Sequence, residues 1–204
     1  AGGEHEASAA KIIIPTSLAN AVADVQSLES RFYLRRRLVV GNEARLLKAE
    51  EAATLPLLTG QPPTHEWRLY VRPWVPPGRR EAALTAARTE WARLLRTITL
   101  HLHPSYAPQQ QVTLSLSEAE AGIVRYGWGE FPVRLELVFW DTQRNKPVEH
   151  VHQLRLSHVH GHGQTMQPGA EHILDVDLDR HTELKPLEEQ EEDDDSQASW
   201  LRPE

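Results

Sequence analysis

Residues 125–140 read "RYGWGEFPVRLELVFW". The second half decides the fold class. Val133, Leu135 and Leu137 alternate with Arg134 and Glu136, the period of two that marks a strand with one buried face. The first half raises a different question. A large indole, Trp128, stands between two glycines and is followed by an acid, another aromatic and a proline. Glycine flanks let a chain turn sharply and let a neighbour approach closely. Such an indole either caps a core at a turn or forms one wall of a slot.

The alternation recurs on both sides of this stretch. "HEWRLYVRPW" (65–74) puts Trp67, Leu69 and Val71 on one side, and "TITLHLHP" (97–104) does the same with Ile98, Leu100 and Leu102. "QVTLSLS" (111–117) and "AGIVRYG" (121–127) are shorter examples. "EHVHQLRLSHV" (149–159) alternates over Val151 and, after His152, over Leu154 and Leu156. "EHILDVDLDRH" (171–181) sets Leu174, Val176 and Leu178 against Ile173, Asp175 and Asp177. "RFYLRRRLVVG" (31–41) is rich in β-formers and runs into Gly-Asn, which reads as a strand and its turn. About eight short strands with turn punctuation predict an all-β antiparallel sandwich.

Two segments carry a helical period instead. One is "TSLANAVADVQSLES" (16–30), with Thr16 as N-cap, and the other is "REAALTAARTEWARLL" (80–95). "ARLLKAEEAATLPLLTGQPPT" (44–64) is a partly helical connection, and "GHGQTMQPG" (161–169) is a glycine loop.

The 204 residues suffice for one domain with tails. The expected organisation is an N-terminal extension over 1–29, a sandwich over 30–181 and an acidic, solvated tail over 182–204. That last segment holds nine acids and two bases, the whole of the net charge of −7. The remainder is neutral, which argues against a broad basic surface for nucleic acid. Cysteine is absent, excluding disulfides, thiolate catalysis and thiolate-held zinc. No apolar run reaches membrane-spanning length, and residues 1–10 have no signal-peptide pattern.

Three constellations carry possible chemistry. His101/His103, His150/His152 and His158/His160/His162 repeat at two-residue spacing, and such pairs share a strand face where they could ligate zinc or iron. The simpler reading, preferred here, is polar positions on the solvated faces of strands. Ser105 has His103 nearby, but no Gly-x-Ser-x-Gly elbow or oxyanion loop accompanies it. No phosphate-binding or dinucleotide motif occurs. The third constellation is a pair of loops, "HPSYAP" and "YGWGEF", each presenting an aromatic after a strand. Loops on a rigid sandwich are where binding residues usually lie. The alternative is that Tyr106 and Trp128 only cap the core.

"HEWRLYV", "LHLHPSY" and "GWGEFPVRLELVFWD…KPVEHVHQLRL", in that order, resemble the YEATS domain. The resemblance covers roughly residues 30–181. Its flanks, "RFYLRRRLVVGN" and "GQT…GAE…DVDLDRH", look closest to the branch found in the ATAC histone acetyltransferase complex. The resemblance implies an immunoglobulin-like sandwich and a non-enzymatic nuclear reader of acylated lysine on histone tails. It implies partners in a chromatin or acetyltransferase complex and no cofactor.

Residue by residue, the implied pocket falls on His65, His103, Ser105, Tyr106, Gly127, Trp128, Gly129 and Phe131. Tyr106 and Trp128 are expected to face each other and clamp the acyl amide. Ser105 would accept its N–H, and a main-chain N–H at Trp128 would donate to its carbonyl. His65 and His103 would line rim and wall, with His103 buttressing Ser105. Phe131 would support Trp128 from below, and the slot is expected to hold no carboxylate. Two departures stand out. The family's Pro-Pro-aromatic stretch is replaced by "LSEAEAGIV", and the 80–95 helix is an insertion.

Overall fold

The computed structural model describes residues 32–78, 81–156 and 165–186. The expected helix at 16–30, the histidines at 158, 160 and 162, and the acidic run after residue 187 lie outside them. Eight strands form the body: β1 (Tyr33–Leu46), β2 (His65–Pro73), β3 (Leu95–His101), β4 (Gln111–Leu114), β5 (Ile123–Gly127), β6 (Pro132–Phe139), β7 (Val148–Gln153) and β8 (Gln167–Asp179). They make two four-stranded sheets, ordered β5-β2-β1-β8 and β4-β3-β6-β7. All pairings are antiparallel. The predicted sandwich is the observed one.

The core is built by the alternation. Trp67, Leu69 and Val71 of β2, Ile98 and Leu100 of β3, Val133, Leu135 and Leu137 of β6, and Val176 and Leu178 of β8 are all buried. Three helices decorate it: α1 (Ala49–Thr54), α2 (Glu81–Leu94) and α3 (Leu116–Ala121). The inserted helix α2 enters the core through Trp91 and Leu94. Its last turn is tied to the segment after β8: Arg93 Nε donates to the Lys185 carbonyl at 2.7 Å, and Lys185 N–H donates to the Arg93 carbonyl at 3.0 Å. The Lys185 ammonium also lies 4.7 Å from the Trp140 ring centre.

Four local expectations are corrected. Gly41-Asn42 is not a turn, because β1 runs through it with a register irregularity between Gly41 and Glu43. The Tyr70 phenol occupies the space a Cβ on Gly41 would need, 2.5 Å away. "QVTLSLS" is strand only to Leu114. Ser115 then caps α3, accepting from the Glu118 N–H while the Glu118 carboxylate accepts from the Ser115 N–H, a capping box that "SLSE" spells out. The end of "GHGQTMQPG" belongs to β8, which begins at Gln167. On β7 the inward phase is the opposite of the expected one: Val151 is 57% exposed, whereas His152, read as solvated, is fully buried.

His152 is tolerated inside because Asn42 meets it. Asn42 donates from Nδ2 to the Arg155 carbonyl at 2.8 Å. Its Oδ1 therefore faces the Arg155 N–H at 3.3 Å and His152 Nε2 at 3.0 Å. An amide oxygen only accepts, so Nε2 carries the hydrogen. Burial, then the neighbouring imidazoles of His172 and His150, push His152 down to about 4 from an ordinary 6.5. The ring is thus held neutral. Asn42 thereby links β1 of one sheet to the strand-end segment of the other. Replacing Asn42 by Leu leaves the His152 N–H and both main-chain groups of Arg155 unpaired. The expected destabilisation is about 3 kcal/mol, at roughly 1–3 kcal/mol per buried group, measured by urea unfolding.

Candidate functional site

The site sits where β3 and β5 leave the sheets. After β3, Pro104–Tyr106 form a single 3₁₀ turn that points Tyr106 inward and leaves Ser105 at the surface. Tyr106 is 9% exposed. Its hydroxyl accepts from Trp67 Nε1 at 3.1 Å and donates to the Tyr126 carbonyl at 3.0 Å. The ring meets Trp67 edge-on, centroids 5.8 Å apart, and Phe131 at 5.6 Å. Burial pushes the phenol above its ordinary range, so it keeps the hydrogen it donates.

Trp128 follows β5 and is 42% exposed. Its Nε1 points to the Leu58 carbonyl at 3.4 Å, tethering it to the loop before β2. Both rings line a cleft of about 70 Å³, together with Leu58, His103, Ser105, Gly129, Glu130 and Phe131. Leu58, Ser105 and Tyr106 also line a neighbouring apolar groove of about 330 Å³.

His103 sets the polarity of Ser105. The Ser105 main-chain N–H donates to His103 Nδ1 at 3.2 Å, so Nδ1 is the bare nitrogen of that ring. The Ser105 hydroxyl, 2.9 Å from the same atom, must then donate to it. Its oxygen lone pairs are left to accept from something else.

Six of the eight residues singled out in the sequence line one cleft: His103, Ser105, Tyr106, Trp128, Gly129 and Phe131. His65 does not. It starts β2 opposite Gly127, and its Nδ1 meets Thr64 Oγ1 at 2.8 Å. Gly127 lies behind the wall. The rings packed against Tyr106 are Trp67 and Phe131. Two expectations change. Phe131 supports Tyr106, Trp67 and His103 rather than Trp128. A carboxylate does line the cleft: Glu130 is held by Arg155 Nη1 at 3.1 Å and by the Leu156 N–H at 2.8 Å. Leu58 was not legible, because nothing in "LPLLTG" distinguishes it from its neighbours.

The histidine pairs do not gather as the metal alternative requires. His103 lies in the cleft, and His101 at the end of β3 lies 3.8 Å from Glu136 of β6. His150 meets His172, which spacing did not single out. Among the described residues no group of three or more His, Cys, Asp or Glu is placed to hold one metal ion.

The two glycines around the indole differ. A Cβ on Gly127 would stand 2.5 Å from the Tyr106 hydroxyl and 3.3 Å from Trp67 Nε1, whereas one on Gly129 would meet nothing within 4 Å. Gly127→Ala is therefore expected to destabilise by roughly 1–3 kcal/mol through overpacking. Gly129→Ala should leave the thermal midpoint almost unchanged. Differential scanning calorimetry of the two variants checks the asymmetry.

Residues 62–158 match the sequence model of the YEATS family. The AF-9 homolog of Schizosaccharomyces pombe is 25% identical over 138 residues, covering 68% of this chain and 54% of that protein. The AF-9 homolog of Cryptococcus neoformans is 25% identical over 134 residues, 61% of this chain and 32% of that protein. The chain thus spans about half or less of the curated relatives it matches. Among solved structures, the Yaf9 YEATS domain bound to H3K27ac superposes with a TM-score of 0.51 at 18% identity, over 72% of this chain and 86% of that one. The yeast AF-9 homolog Yaf9 gives 0.51 at 17% identity, over 74% and 82%. At that identity the likeness is one of fold. The family match spans residues 62–158, and the sandwich described above is similar in fold to the YEATS domain.

Proposed function

We propose that this domain reads acylated lysine on histone tails, with the cleft lined by Tyr106 and Trp128 as the acyl-lysine site. The observation that carries this reading is the Ser105 hydroxyl. Its hydrogen is given to His103, which leaves its oxygen free to accept, beside an exposed indole in the same cleft. An acyl-lysine offers a flat amide on an apolar stem. Trp128 covers one face of it, and Ser105 accepts its N–H. A main-chain N–H at Trp128 donates to its carbonyl. An unpaired amide group would cost roughly 1–3 kcal/mol, so both polar contacts are needed. The solved Yaf9 domain, bound to H3K27ac, supports the ligand class by analogy.

Selectivity against unmodified lysine follows from charge balance. The Glu130 carboxylate is occupied by Arg155, so an entering ammonium meets no free counter-ion while losing its water. Acylation removes that charge. A planar crotonyl tip extends the contact with the indole, and the groove beyond Leu58, Ser105 and Tyr106 offers room past the acetyl length. Crotonyl is therefore the proposed preference. One clamped side chain buries little area, so the affinity is micromolar or weaker, about −8 kcal/mol at best. Such affinity needs further modules in a nuclear chromatin complex; an acetyltransferase assembly of the ATAC type is the proposed setting. The activity is binding, not catalysis.

Titration with crotonylated, acetylated and unmodified histone peptides tests the reading, and equal responses to all three would leave an adaptor. Trp128→Ala should weaken acyl-peptide binding at least tenfold, since an aromatic contact adds roughly 0.5–1.5 kcal/mol to its buried area. Its thermal midpoint should hold, because the side chain is half exposed. An unfolded variant would instead favour a core-capping role for the indole. Arg155→Ala removes the cation that neutralises the Glu130 carboxylate and should narrow the acyl-over-unmodified preference by several-fold in the same titration.

A further inference from the structure

β7 and β8 are the outer strands of opposite sheets, and at their shared corner three imidazoles meet. His150 and His152 come from β7, and His172 comes from β8. The His152 ring stacks on His172 with an interplanar angle of 18° and centroids 5.2 Å apart. The His150 and His172 centroids are 4.6 Å apart, with Nε2 of one facing Nε2 of the other.

One nitrogen lone pair at this corner has no hydrogen to accept. Because Asn42 fixes the hydrogen of His152 on Nε2, its Nδ1 is a bare acceptor, and that atom is buried without a partner. Between His150 and His172 a single hydrogen satisfies the pair only if one ring donates and the other accepts. A cation would use both lone pairs at once.

We propose that the β7–β8 corner binds a divalent transition-metal ion through Nε2 of His150 and Nε2 of His172, clamping the outer strands of the two sheets together. The ion is of the imidazole-preferring class, zinc or copper, rather than magnesium or calcium, which require oxygen donors. Two imidazoles on one zinc ion stand roughly 3.3 Å apart at bond lengths near 2.0–2.1 Å. The rings must part slightly to reach that separation. Both are only half-buried, so they can move and solvent can reach them. Among the described residues no third ligating side chain converges; water completes the shell, and the affinity is lower than that of a closed structural zinc site. The adjacent acids are engaged elsewhere: Glu171 binds Tyr70 and Arg72, and Glu149 binds Arg134. An ion held only by the folded state stabilises it by mass action.

The test is thermal unfolding of chelator-stripped protein titrated with zinc chloride, with copper(II) chloride and magnesium chloride as comparisons. Zinc and copper should raise the midpoint by several degrees in one saturable step, and magnesium should not. His150→Gln and His172→Gln should each abolish the shift. These variants keep polar side chains, so they remain folded controls where alanine fails. The sequence also carries His158, His160 and His162. The titration is therefore repeated with all three changed to alanine, and the shift should survive. Nitrogen-15 spectra of the imidazoles should show Nε2 of His150 and His172 metallated. No zinc shift, a shift retained in both glutamine variants, or a shift lost with the 158/160/162 substitutions would each overturn the proposal. Acyl-peptide binding is read separately and does not depend on it.

Discussion

The Tyr106 hydroxyl is the interaction on which the candidate site depends. It accepts from one buried donor, Trp67 Nε1, and donates to one strand carbonyl, that of Tyr126. Without it, the buried Trp67 Nε1–H would lose its partner in the core. The bond fixes the 3₁₀ turn after β3 against the end of β5, and with it the two residues that face solvent, Ser105 and Trp128. It also dictates the residue at 127, since the hydroxyl fills the space any side chain there would need. The glycine before the indole thus serves the tyrosine, and only the one after it stands in open space.

A second polar centre lies one step away. The main chain of Arg155 is held by Asn42, and its guanidinium holds Glu130 in the cleft wall. Leu156 N–H binds the same carboxylate. The segment after β7 therefore touches the buried Asn42–His152 contact with its backbone and the cleft with its side chain. The electrostatics of the cleft and the joining of the two sheets share one short stretch of chain. That is why the acid in Gly-Trp-Gly-Glu-Phe is neutralised rather than offered to a ligand.

Alternation made most of the fold legible, because Val133, Leu135 and Leu137 or Trp67, Leu69 and Val71 alternate without exception. It failed on β7, where the buried position is a histidine. Polarity alone placed His152 outside, and its acceptability inside depends on Asn42, 110 positions away. It failed at Gly41-Asn42 for a related reason: the pair has turn chemistry locally, but Tyr70 and Arg155 claim both residues from other elements. At the site, the motif residues His103, Ser105, Tyr106 and Trp128 were legible as a group. How their rings pair was not, since Phe131 chooses between Tyr106 and Trp128 by three-dimensional packing. Leu58 and the Arg155–Glu130 pair enter through long-range contacts that no local pattern encodes.

The knot between Arg93 and Lys185 has a consequence for how the molecule can be wired to others. It lies beside Leu95, where β3 begins, whereas the cleft opens beyond His101, where β3 ends. The six intervening steps at about 3.3 Å each separate the two by roughly 20 Å. Lys185 is therefore held at the opposite end of β3 from the cleft. A contact made at that end leaves the mouth of the cleft unobstructed.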